Sequence, residues 1–192
     1  MSDQPSGSET DLPHRFLTLS NILSLCRMFL SVPFVLVMFP PSPGGRIWGG
    51  AIMAVAALTD WLDGYVARRL HQRSEWGKIL DPLADKVAVL SVLVTLLLIG
   101  DLPLWYAALG ISRDLMIAAG GIFIQKKYGL LLASNELGKW TVGSIALVLF
   151  LLTIGAQGVY VQGLLLLSAA MMLLSVVSYA KRAAAIVGNR EV

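Results

Sequence analysis

Long apolar runs broken by short polar or Gly/Pro-rich segments fill most of this chain. At roughly 20 apolar residues per membrane-spanning helix, the runs predict six helices, over about 21–39, 47–69, 77–99, 104–125, 137–154 and 160–179. Pro40, Pro41, Pro43, Gly44 and Gly45 mark the first break as a tight exposed turn. Gly100-Asp101-Leu102-Pro103 and Gly155 to Gly158 mark two more. The remaining two breaks are polar, one around Arg68, Arg69, His71 and Arg73, the other around Lys126, Lys127, Asn135, Glu136 and Lys139.

Ahead of the first run, residues 1–11 are polar and read as disordered, with no basic-then-apolar order of a cleaved signal. Residues 12–20 mix apolar and basic positions, which suits a segment lying along the membrane interface. The expected organisation is an N-terminal segment over 1–20, a six-span domain over 21–182 and a short tail over 183–192.

Composition agrees with the pattern. Of 192 residues, 56% are hydrophobic and 14% charged, with mean hydropathy +0.73. Soluble domains carry about 25% charged residues, so the chain reads as an all-α integral membrane protein. The net charge of +3 and pI near 9.2 point to positively charged loops rather than to nucleic acid. Lys and Arg gather at the N-terminal side, in the second and fourth breaks and at the C-terminus, whereas the alternate breaks hold only Arg46. Excess Lys and Arg mark the cytoplasmic side. Both termini are therefore expected in the cytoplasm, with the protein in a cell membrane such as the bacterial inner membrane. Trp48, Trp61, Trp76, Trp105 and Trp140 fall near predicted span ends, where interfacial tryptophans sit. Cys26, the sole cysteine, excludes an internal disulfide and reads as a small buried hydrophobe.

One stretch departs from this oily background. Residues 60–85 hold Asp60, Asp63, Asp81 and Asp85. Carboxylates are costly near hydrocarbon, so such a cluster is a functional site by default. Asp60 and Asp63 are three apart and Asp81 and Asp85 four apart, so each pair shares a helix face. Two neighbouring helices would then aim four carboxylates at one spot, on the expected cytoplasmic side. Unpaired, the four would repel one another and take up protons. Divalent cations resolve this, and an all-oxygen site suits Mg²⁺, Mn²⁺ or Ca²⁺. Four carboxylates suffice for a pair of ions, an arrangement suited to phosphoryl transfer. Gly64, Ala67 and Gly77 leave room for close approach or a ligand, and the Arg68 guanidinium matches phosphate geometry. A cation transporter is the alternative from another class. It predicts carboxylates near the bilayer midplane and often repeated halves, and no repeat is visible here.

Asp60-x2-Asp63-Gly64-x2-Ala67-Arg68-x8-Gly77-x3-Asp81-x3-Asp85 resembles the full signature of the CDP-alcohol phosphotransferase family. Asn21-x-Leu23-Ser24-x2-Arg27 is similar to an N-terminal motif common among its members. The resemblance implies six spans and a homodimer. It implies that Asp60, Asp63 and Asp81 hold one metal and that Asp85 helps hold a second, Mg²⁺ or Mn²⁺. It further implies that Asp60, Gly64, Ala67, Arg68 and Gly77 line the CDP pocket, and that Asp85 is the general base on the acceptor hydroxyl. The donor would be CDP-diacylglycerol and the leaving group CMP.

Two further stretches bear on the acceptor. Ser112-Arg113-Asp114 puts an arginine well inside the fourth run, and Leu137-Gly138-Lys139-Trp140-Thr141 puts a lysine at the start of the fifth. Because adjacent helix positions do not face each other, Arg113 is expected to pair with a site carboxylate or an acceptor phosphate rather than with Asp114. Both stretches resemble the phosphatidylglycerophosphate synthases within the family, which implies glycerol 3-phosphate as acceptor, with Arg113 and Lys139 on its phosphate. Asp114 and Thr141 depart from that pattern. Ser-Arg-Asp is closer to the eukaryotic-type cardiolipin synthases, so phosphatidylglycerol is the alternative acceptor.

Overall fold

In a computed structural model of the chain, residues 19–70, 77–129 and 136–188 are described. They form six α-helices: α1 (Leu19–Met38), α2 (Pro43–Leu70), α3 (Gly77–Ile99), α4 (Leu104–Tyr128), α5 (Glu136–Thr153) and α6 (Val159–Gly188). The six apolar runs thus correspond to six helices. Four of them, α1, α4, α5 and α6, are long and apolar enough to cross a membrane. Their outward faces carry exposed large apolar side chains, among them Phe29, Leu36, Leu115, Leu147, Leu166 and Leu174. Contiguous apolar surface of this kind belongs against lipid. The expected N-terminal segment falls outside the described residues, apart from the start of α1.

Helix α1 packs against both α2 and α3, while α6 packs against α4 and α5. The two groups meet through α5, which touches α2 and α3, and through a sparse α3–α4 contact. Phe34 and Met38 of α1, Val92 and Leu96 of α3, Tyr106 of α4 and Leu149 of α5 are all buried in the shared core. Small polar groups join the helices on α6. The Tyr106 and Ser168 hydroxyls lie 2.6 Å apart in the core, and Thr141 Oγ1 donates to the Leu137 carbonyl at 2.7 Å and lies 3.3 Å from that of Met171. Such hydrogen bonds add to van der Waals packing where lipid supplies no hydrophobic drive between helices.

Three local expectations are corrected. Pro43, Gly44 and Gly45 do not stay outside helix but form the first turn of α2. First-turn N–H groups have no partner within the helix, so proline costs nothing there, and Ser42 Oγ caps the turn by accepting from the Gly45 N–H at 3.0 Å. Cys26 is exposed rather than buried, because the outer face of a membrane helix tolerates a small apolar thiol as well as its core does. Helix α6 runs on to Gly188, past the end expected near Tyr179. Trp48, Trp61, Trp105 and Trp140 are all exposed, and Trp76 lies outside the described residues.

At one end of the bundle Arg46 ties three elements. Its Nη1 lies 2.8 Å from Asp101 Oδ2 in the α3–α4 turn and donates to the Leu152 carbonyl of α5 at 3.1 Å. Gly100, with φ of +88°, makes that turn, its N–H bonding back to Leu97. The aspartate motif lies toward the other end, where α1 begins and α2 finishes.

Candidate active site

Helix α1 opens with a polar stripe. Asn21, Ser24 and Arg27 are spaced by three, so they share a face, and all three are buried. That face meets α2 and α3. Arg27 Nη1 lies 3.0 Å from Asp60 Oδ1 of α2 and donates to Asp85 Oδ1 of α3. One guanidinium nitrogen therefore joins a carboxylate from each motif helix. The Arg27 side chain is only 4% exposed, whereas Asp60 and Asp85 are 63% and 53% exposed. The positive charge sits on the protein side of the site, and the carboxylates open outward.

This geometry alters one expectation. The two motif helices make no close backbone contact among the described residues, because α1 lies against both. Asp60 and Asp85 come together, but they do so across α1 with Arg27 between them. Sequence reasoning noticed Arg27 only as part of a motif and assigned it no role. The available signal was a basic residue in phase with Asn21 and Ser24 inside an apolar run, since a charge at that depth needs a partner.

Of the other expected residues, Asp63, Gly64, Ala67 and Arg68 lie on the last turns of α2, Gly77 opens α3 and Asp81 follows one turn later. The side chains of Asp63, Ala67, Arg68 and Asp81 lie outside the described residues. Helix α3 continues through Pro82.

Arg113 is buried in α4, and its Nε donates to Ser175 Oγ of α6 at 3.1 Å. Its Nη1 lies 2.8 Å from Asp114 Oδ1. The neighbour in sequence is thus its partner after all. Three methylenes and a planar fork let the arginine reach sideways around the helix, which the rule for short side chains does not cover. Asp114 also accepts from Lys86 Nζ at 2.5 Å. Lys86 follows Asp85, and adjacent side chains diverge, so Asp85 faces α1 while Lys86 reaches α4. A chain of polar contacts thereby runs from α3 through α4 to α6 at the level of the site. Lys139 is exposed at the start of α5 and pairs with Glu136 one turn before it, at 2.7 Å.

The donors in place are carboxylate oxygens, and the point where they converge already attracts a cation. That set fits a hard divalent ion with oxygen ligands. Among the described residues, no three His, Cys, Asp or Glu side chains converge tightly enough to form such a site alone. Asp63 and Asp81 would have to complete it.

Residues 17–180 match the family model for CDP-alcohol phosphatidyltransferase. The chain belongs to this family. It is 30% identical to CDP-diacylglycerol--glycerol-3-phosphate 3-phosphatidyltransferase 2 of Arabidopsis thaliana, over 93% of this chain and 84% of that protein. It is 34% identical to the CDP-diacylglycerol--glycerol-3-phosphate 3-phosphatidyltransferase of Bacillus subtilis, over 63% and 68%. It is 38% identical to the cardiolipin synthase (CMP-forming) of Streptomyces coelicolor, over 59% and 53%. Asp60 and Asp85 both lie within the matched segment.

Proposed function

We propose that this CDP-alcohol phosphatidyltransferase moves the phosphatidyl group of CDP-diacylglycerol onto glycerol 3-phosphate, releasing CMP and forming phosphatidylglycerophosphate. The observation that carries this reading is the meeting of Asp60 and Asp85 at signature positions, in a chain matched along 93% of its length by a glycerol-3-phosphate relative.

In the reaction the acceptor hydroxyl oxygen bonds to the lipid-side phosphorus, and the bond from that phosphorus to the CMP oxygen breaks. Asp85 takes the hydroxyl proton. It is exposed enough to meet an acceptor arriving from solution, and before an ion binds Arg27 holds it in place. Asp60, Asp63 and Asp81 would hold one Mg²⁺ or Mn²⁺ ion, with Asp85 sharing a second. When bound, these ions neutralise the diphosphate and the charge that develops on it. Gly64, Ala67, Arg68 and Gly77 would line the CDP pocket. Arg113 is the better placed of the two acceptor-side cations. Ser175 and Asp114 fix its orientation, and these bonds use only two of its five N–H donors. Lys139 would join it once drawn from Glu136.

The same reading takes all six helices as spans, with α2 and α3 carrying the charged site at their cytoplasmic ends, both termini in the cytoplasm of a cell such as a bacterium, and two copies forming a dimer. The Streptomyces relative favours one second reading, cardiolipin synthesis with phosphatidylglycerol as acceptor. The family is one of transferases, which leaves the cation-transporter alternative without support. The test is product identity. Purified protein given CDP-diacylglycerol and Mg²⁺ with either acceptor is followed by mass spectrometry of the extracted lipids. Phosphatidylglycerophosphate is expected. Cardiolipin alone would select the second reading, and neither product would remove both.

A further inference from the structure

We propose that Arg27 is the resident cation of the carboxylate site, holding Asp60 and Asp85 together before a divalent ion arrives and competing with that ion for them. The proposal rests on the reading of Asp60 and Asp85 as metal ligands.

Three observations carry it. First, the backbones of α2 and α3 make no close contact among the described residues, and each helix packs on α1. The link between their aspartates is Arg27 Nη1, which touches Oδ1 of both. That nitrogen occupies one oxygen of each carboxylate, so both offer a divalent ion one oxygen fewer while the contacts last. Second, the Arg27 side chain is 4% exposed, while the aspartates are more than half exposed. The guanidinium therefore reaches the carboxylates from inside the bundle, and an ion from solution reaches them from the opposite side. Third, Arg27 is anchored. Its side chain borders a crevice of about 30 Å³, walled by Leu30 and Phe34 of α1, Met53 and Ala56 of α2 and Val92 of α3. That space admits one or two waters at most, so the stem is held in a largely apolar seat.

The chemistry then follows from charge. The Arg27 guanidinium brings its charge to the carboxylates from the protein side. Without a divalent ion it offsets the repulsion between the carboxylates and keeps α2 and α3 in place on α1. A divalent ion held by either carboxylate would set a like charge near the guanidinium and weaken its contacts with them. Arg27 thus stabilises the metal-free protein and weakens metal binding by the same contacts.

The experiment uses purified full-length protein in detergent, with Mn²⁺ alone as the probe. Free Mn²⁺ is counted by electron paramagnetic resonance, and melting points are recorded in EDTA and in saturating Mn²⁺. Arg27→Met should bind Mn²⁺ at least about tenfold more tightly than the unsubstituted protein, or about 1.4 kcal/mol. It should melt lower in EDTA, and Mn²⁺ should raise its melting point by more. Arg27→Gln, which keeps a polar neutral group, is read in the same way should the methionine variant fail to fold. Folded variants with equal or weaker Mn²⁺ binding overturn the competition while leaving the metal site standing. Unsubstituted protein that binds no Mn²⁺ overturns both the metal site and this inference.

Discussion

Arg113→Met tests the polar contacts that join α4 to α6. The substitution keeps most of the apolar stem and removes the guanidinium. Ser175 Oγ is buried and loses its donor at 3.1 Å. An orphaned buried hydroxyl costs about 1–3 kcal/mol, and the low end applies because a helical serine can turn to a carbonyl of its own preceding turn. Asp114 loses its 2.8 Å contact but keeps Lys86, and it is 41% exposed. A half-exposed ion pair contributes about 0.5–1 kcal/mol. The sum is about 2 kcal/mol, which lowers the melting point of a chain this size by about 4–8 °C. Differential scanning fluorimetry in detergent reads it. Ser175→Ala supplies the control. Once Arg113 is gone the serine no longer has that bond to lose, so the double variant should melt above the sum of the single effects. Additive effects, or an unchanged melting point for Arg113→Met, would refute the geometry. Kinetics then separate the acceptor role. A KM for glycerol 3-phosphate raised at least about tenfold, with the KM for CDP-diacylglycerol unchanged, is the signature of lost uniform binding to the phosphate.

Three other outcomes are expected. Asp85→Asn should fold normally and lose at least about a hundredfold in turnover, the usual worth of a general base; near-normal CMP release would remove Asp85 from that role. Gly49→Val should destabilise the protein by about 1–3 kcal/mol, since a Cβ there falls 2.7 Å from Met38 Sδ and 3.1 Å from Thr153 Cγ2; Met38→Ala in the same chain should recover part of the loss, and a melting curve shows both. EDTA should abolish CMP release, and Mg²⁺ or Mn²⁺ should restore it; activity indifferent to EDTA would contradict the metal reading.

The helices were legible because hydropathy and Gly/Pro breaks are local signals. Gly77 to Ile99 was placed to the residue, and the family was legible in the spacing of eight positions. What escaped was order in space. Periodicity says that Asp60 and Asp63 share a face, but not which helix that face meets. The packing of α1 against both α2 and α3, and with it the contacts of Arg27, depends on helices whose outer faces are equally apolar. Cys26 escaped for a related reason, since in lipid a hydrophobe has no preference for the inside. Arg113 escaped because its length defeats a neighbour rule drawn for shorter side chains. Pro43 escaped because the same residue ends one helix and suits the first turn of the next.

The central claim is that the carboxylates joined across α1 carry out phosphatidyl transfer. CMP release from CDP-diacylglycerol, measured side by side for the unsubstituted protein and Asp60→Asn, tests it most directly. The account predicts CMP that appears only when glycerol 3-phosphate is added and that falls to background in Asp60→Asn. CMP release by Asp60→Asn at the unsubstituted rate, or none from the unsubstituted protein with any hydroxyl acceptor, would contradict it.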